Sequence, residues 1–207
     1  PAQRKAKMND LPKAMMARVF AIMTFTAVTG SIVFNFTTNG NGELLRERVK
    51  GAVQDPAELA LMLFVIFSLA SVAQLVVGKL IDRFPLKAIY VPIVLMQVPL
   101  FLLASQVENW ALFVTAIGYM LLVFGAIPFT DAMVVKYIDD RMRSRVTGAR
   151  LAIGFGISSV VVALIGPTVK AAGFPVVLMV LAGVSLAGAI ALAFLPGDRD
   201  MSRAVLK

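Results

Sequence analysis

Apolar residues run in six blocks, over residues 18–38, 57–78, 88–105, 111–130, 147–169 and 174–195, with short polar connections between them. Each block approaches the ~20 mostly apolar residues that a helix needs to cross a bilayer core. The pattern predicts six transmembrane helices. The third and fifth connections, residues 106–109 and 170–173, are so short that the spans they join must be antiparallel neighbours. The first connection, residues 39–56, is the longest. It opens on the turn signal Asn39-Gly40-Asn41-Gly42 and carries a charged stretch, residues 43–50, suited to a short surface helix. Asp55-Pro56 then suits the first turn of the second span. Trp110 falls where an interfacial aromatic belongs.

Charge adds an orientation. Arg4, Lys5, Lys7, Lys13 and Arg18 lead into the first span, and Lys79, Arg83 and Lys87 follow the second. Lys136, Arg141, Arg143, Arg145 and Arg150 lie around the connection from the fourth span to the fifth, and Arg199, Arg203 and Lys207 follow the sixth. These are 16 of the 20 Lys and Arg, and six spans put them all on one side. The other side holds Arg46, Arg48, Lys50 and Lys170. Basic residues stay on the cytoplasmic face, so both termini are expected there. An odd number of spans would scramble this alternation.

Composition agrees with a membrane protein. The chain is 59% hydrophobic, with a mean hydropathy of +0.85 and a net charge of +8. In a soluble domain such a charge would suggest nucleic acid. Here the cations flank membrane spans, where topology and anionic head groups account for them, and no nucleic-acid partner is expected. Cys and His are both absent. That excludes disulfides, thiolate chemistry and the usual zinc sites, and no cofactor or metal is expected. Residues 1–13 read as a basic cytoplasmic lead-in or inter-domain linker without a cleavable apolar segment. Residues 14–196 form the membrane domain and residues 197–207 a cytoplasmic tail.

The connection after the second span reads Gly78-Lys79-Leu80-Ile81-Asp82-Arg83-Phe84-Pro85-Leu86-Lys87. It resembles the G-x-L-x-D-R-x-G-R-K loop of the major facilitator superfamily of secondary transporters, matching at Gly78, Leu80, Asp82, Arg83 and Lys87. Pro85 and Leu86 depart from the motif's Gly and Arg. Arg143-Ser144-Arg145-Val146-Thr147-Gly148 is similar to that family's R-x-R-x-x-G entry to its fifth or eleventh helix. The whole pattern resembles a C-terminal half of such a transporter, helices seven to twelve. The expected fold is therefore all-α, six transmembrane helices forming half of the superfamily fold. On physical grounds Gly78 allows close helix approach. Asp82 can accept hydrogen bonds from a neighbouring helix N-terminus, with Arg83 holding it in place. The competing possibility is a local surface pair of Asp82 with Arg83 or Lys79. The resemblance makes Gly78, Leu80, Asp82 and Arg83 a conformational-gate loop.

Polar side chains inside spans usually face a bundle interior or a water-filled path. At 100° per residue, Thr24, Ser31, Asn35 and Thr38 share one stripe of the first span, and Thr26, Thr29 and Thr37 fall opposite. Phe67, Ser71, Gln74 and Gly78 align in the second span, Thr115, Tyr119 and Ala126 in the fourth, and Thr147, Arg150, Gly154 and Ser158 in the fifth. The resemblance implies a central cavity against the first, second, fourth and fifth spans. Asn35, Gln74, Tyr119 and Ser158 are thus the substrate-cavity candidates, with interhelical hydrogen bonding as the alternative. The third and sixth spans become outer supports, which demotes Gln97. Asp131, at the cytoplasmic end of the fourth span beyond Pro128, is expected to make a structural ion pair with the cluster that includes Arg145 and Arg150.

The resulting expectation is one six-helix half of a secondary transporter for a small solute, working by alternating access and unable to transport alone. Its partners would be the lipid bilayer and an N-terminal six-helix half, in the same or a separate chain, or a second copy in a homodimer. The expected location is a bacterial inner (plasma) membrane. A non-transporting structural or regulatory subunit is the alternative. A membrane enzyme fits less well, because the acids are scattered and no His or Cys can serve as base or nucleophile.

Overall fold

The computed structural model describes residues 13–138 and 140–196, which are helical apart from short connections. Except for Lys13, the predicted lead-in and the tail lie outside the described residues. The helices are α1 (Lys13–Arg48), α2 (Pro56–Arg83), α3 (Leu86–Gln106), α4 (Asn109–Gly125), α5 (Ile127–Tyr137) and α6 (Asp140–Ala193).

The predicted start of the second span is present in atomic detail. The Asp55 carboxylate accepts the Ala57 N–H at 3.0 Å, and Pro56 occupies the first turn, where its missing donor costs nothing. Phe84 ends α2 in an extended conformation, with Pro85 behind it. The fourth span is α4 followed by α5. The interruption falls at Ala126, and Pro128 sits in the first turn of α5. The break thus falls two residues before Pro128, whose ring and missing N–H disturb the preceding turn.

The first span overruns its predicted end. Instead of turning at Asn39-Gly40-Asn41-Gly42, α1 runs on to Arg48, 36 residues in all. The segment is held helical by what it packs against. Leu44, Leu45 and Val49 are buried. A side chain at Gly40 would crowd Phe36 at 3.3 Å. Asn39 Nδ2 satisfies itself on Asn35 O at 2.8 Å. Tertiary burial overrides weak helix propensity here. At 1.5 Å per residue α1 is about 54 Å long, so its charged end around Glu43–Arg48 projects beyond a ~30 Å hydrocarbon layer.

Among the described residues five helices, not six, are long and apolar enough to cross a membrane. The difference lies in the last, Ser144–Ala193, whose 50 residues are far more than one crossing needs. It is interrupted at Gly173, where φ 75° and ψ 161° are not helical. Only glycine adopts that backbone freely. The predicted 170–173 turn is thus compressed into a single residue joining two arms, residues 140–172 and 174–193.

Two apolar clusters fill the bundle. One, around Val33, Phe36, Ile66, Phe101, Tyr119 and Leu178, lies toward the end carrying the α1–α2 connection. The other, around Val19, Ile22, Tyr90, Phe129, Met133 and Leu192, lies toward the end carrying the α2–α3 connection. The Tyr90 and Phe129 rings stack at 4.5 Å within it. The second arm of α6 contributes Phe174, Val177, Leu178 and Leu192 to these clusters, whereas the first arm adds only the partly buried Val161, Ile165 and Val169. At the α1–α2 end, Arg48 ties α1 to the α3–α4 connection through Ser105 O at 3.2 Å and Glu108 Oε1 at 3.1 Å. Trp110, 57% exposed, stands at that same end with its ring edge-on to Phe113.

Candidate functional site

Two elements leave large apolar faces open. On α2, Leu61, Phe64, Val72, Leu75 and Val76 are exposed. On the first arm of α6, Leu151, Ile153, Phe155, Val160 and Leu164 are exposed, with Phe155 at 71%. The Thr147, Arg150, Gly154 and Ser158 stripe is not the most open side of that arm. All four of its residues are half-buried, and Ser158 Oγ donates to Gly154 O at 2.8 Å.

The motif loop stands at the edge of the open α2 face. Asp82 and Arg83 are exposed, Leu80 is half-buried, and no hydrogen bond or ion pair engages Asp82 among the described residues. The local pairing of Asp82 with Arg83 or Lys79 is therefore not made. Gly78 has nothing within 4 Å of where a Cβ would be, so the close approach it permits is not used among the described residues. Lys87, the last matching residue, is turned elsewhere. Its Nζ donates to Ala193 O at 2.6 Å and Leu195 O at 2.9 Å, while Arg18 Nη2 donates to Phe194 O at 2.9 Å. Two cations thus satisfy three successive carbonyls at the end of α6, where free acceptors and the helix dipole favour positive charge.

The four cavity candidates separate. Asn35 is half-buried on α1, and its Nδ2 donates to Ser31 O at 2.8 Å and Ser31 Oγ at 3.2 Å. Gln74 is half-buried on α2. Tyr119, by contrast, lies wholly inside the core, its ring 5.0 Å from Phe101 and its hydroxyl donating to Asn41 Oδ1 at 2.5 Å. It lines no open face, because the extension of α1 through Asn41 closes over it. On the opposite stripe of α1, Thr26, Thr29 and Thr37 are the buried set and spend their protons on α1's own carbonyls.

At the α2–α3 end, Arg150 Nη2 donates to the Asp131 carboxylate, joining α6 to α5. Arg145 is exposed and takes no part in this contact. The first arm of α6 is thereby pinned to the short helix beyond the Ala126 break.

Sequence reasoning passed over the most polar part of the interior. Gln97 is 4% exposed, accepts from Ser185 Oγ at 3.1 Å and donates to Leu122 O at 3.4 Å. Its signal was present, since an amide within an apolar span is costly unless satisfied. Its assignment to an outer support hid it. Asn41 was hidden by its turn-like neighbours. Among the described residues no three Asp or Glu side chains gather as a metal site would require.

Comparison with curated proteins finds no match. The family profile described as the Major Facilitator Superfamily matches residues 14–206, nearly the whole chain. Together with five helices of membrane-spanning length among the described residues, this makes the chain an integral membrane protein of transporter type, and it belongs to the Major Facilitator Superfamily.

Proposed function

We propose that the chain is one six-helix half of a secondary active transporter that moves a small solute by alternating access. It would pair with an N-terminal six-helix half, in the same or a separate chain, or with a second copy. Superfamily transporters hold substrate near the bilayer midplane between two such halves that rock against each other. The observation that carries this reading is Asp82, without a partner among the described residues, beside Gly78 at the edge of the open apolar face of α2. An anion with no partner among the described residues suits a helix N-terminus supplied by another unit. Asn35, Gln74 and Ser158 are the residues of this half proposed to face the solute path. Asp131 serves a structural role through Arg150. The basic asymmetry along the chain supports cytoplasmic termini, and the membrane we assign is a bacterial inner membrane.

The test places a photocrosslinking residue at Leu75 on α2 and at Phe155 on α6, in native membranes. A protein adduct with a second six-helix unit is expected at Leu75 or Phe155. Adducts with lipid alone at both positions overturn the docking of a second half. Single cysteines at Gln54 and Ser144 address orientation. Only Gln54 should label from outside the cell, and external labelling of Ser144 contradicts the topology.

A further inference from the structure

The two apolar clusters do not merge. Where they meet, a pocket of about 30 Å³, partly open at the exposed Gly30, is lined by Val33 and Val123 from one and Tyr90, Val94 and Leu192 from the other. It adjoins Ala126, the break between α4 and α5. A space on this scale exceeds the ~10–15 Å³ that a water needs.

Its polar lining is Thr26, Thr29, Gln97 and Ser185, at 2%, 8%, 4% and 2% exposure. A proton count describes what fits. Thr26 Oγ1 gives its proton to Ile22 O at 2.8 Å, Thr29 Oγ1 to Thr26 O at 3.2 Å, and Ser185 Oγ to Gln97 Oε1 at 3.1 Å. Each hydroxyl oxygen keeps acceptor capacity. Gln97 has two amide protons, and its one bond, to Leu122 O, is long at 3.4 Å. The lining thus offers acceptors from α1 and an N–H from α3. A metal cation is opposed by that N–H and by the lack of any carboxylate in the lining. An apolar occupant would leave the second Gln97 amide proton without an acceptor. Water both donates and accepts.

We propose that this cavity binds ordered water, which accepts from Gln97 Nε2 and donates to the Thr26 and Thr29 hydroxyl oxygens. The water completes a polar strap from α1 through Gln97 to Leu122 O in the last turn of α4, and to Ser185 on α6. Leu122 O also accepts Ala126 N–H at 3.0 Å, so the strap ends on the carbonyl that closes the break. Gln97 is then a positioning residue for the α4–α5 joint.

The test uses the full chain in deuterated nanodiscs. The Gln97 side-chain amide, assigned by loss of its signal in Gln97→Met, should show nuclear Overhauser cross-peaks to long-lived water in the wild type. A wild-type Gln97 amide without them overturns the proposal. A second measurement fills the cavity. A Cβ at Gly188 would sit 3.0 Å from Thr29 Oγ1, so Gly188→Ala is made in a Thr29→Ala background that removes this clash. Displacing water should lower Tm by several degrees relative to that background and abolish the cross-peaks. A rise in Tm, the response of a dry void to an added methyl group, also overturns the proposal.

Discussion

Lys87, the last residue of the G-x-L-x-D-R-x-G-R-K loop, reaches from the start of α3 to the last carbonyls of α6, with Nζ 2.6 Å from Ala193 O and 2.9 Å from Leu195 O. Arg18 on α1 takes the carbonyl between them, Phe194 O, at 2.9 Å. The ends of α1, α3 and α6 are therefore one plate, and the neighbouring Asp82 on α2 stays free of it. A division of the loop follows. Lys87 builds the domain, and Asp82 is left available to something outside it.

Lys87→Met should free two carbonyls and loosen the end of α6. Hydrogen exchange at residues 190–195 should quicken, with a loss of about 1 kcal/mol, and Lys87→Arg should restore part of the protection. Unchanged exchange in Lys87→Met contradicts the capping role.

Asp82→Asn should leave the folding and thermal stability of this chain unchanged, since Asp82 has no partner among the described residues. In the complete transporter it should depress uptake. Retained full uptake removes the docking role, whereas a large fall in Tm of the isolated chain would show an internal partner.

Tyr119→Phe should destabilise the bundle by about 1 kcal/mol, the usual worth of an interhelical hydrogen bond in a membrane. Asn41 Nδ2 already lacks a partner, so losing the tyrosine hydroxyl leaves that buried amide with no side-chain bond at either end. Adding Asn41→Leu should recover part of the loss, because removing both polar partners costs less than stranding one. Thermal unfolding in detergent decides this, and a Tm equal to wild type for Tyr119→Phe counts against it.

Gly173→Ala should cost about 1–3 kcal/mol, because φ 75° with ψ 161° is a conformation reserved to glycine. The space around it is not the obstacle, since a Cβ would meet only Pro175 Cδ at 3.6 Å. Lower yield of inserted protein with a reduced Tm is expected. Wild-type Tm would mean that the turn between the arms is made differently.

Asp131→Asn should cost less than about 1 kcal/mol of stability, since its carboxylate is 68% exposed and such pairs are weak. Arg150, at 25%, is the more enclosed partner and has an Nη1 without an acceptor, so Arg150→Met should be tolerated better than loss of Asp131 alone suggests. In a proton-coupled uptake assay on the complete transporter, Asp131→Asn should alter exchange and accumulation together. Loss of pH-driven accumulation with exchange intact would make Asp131 the coupling residue instead.

Much of this architecture is legible along the chain. Long apolar blocks must become helices in a bilayer, because every backbone N–H and C=O has to be satisfied within its own segment. The Asp55-Pro56 start is equally local, a side chain two residues from the amide it caps. What sequence could not decide depended on neighbours distant in the chain. Asn39-Gly40-Asn41-Gly42 carries the chemistry of a turn, and only Tyr119, 78 residues away from Asn41, and the burial of Leu44 and Leu45 keep it helical. Helical periodicity put Tyr119 on a stripe but could not tell a stripe facing solute from one facing the core. Gln97 was assigned by its span when its partner, Ser185, lies 88 residues away. Spacing yields which residues share a face. Which face meets which neighbour is settled by packing across the whole domain, and there the polar interior of this protein was decided.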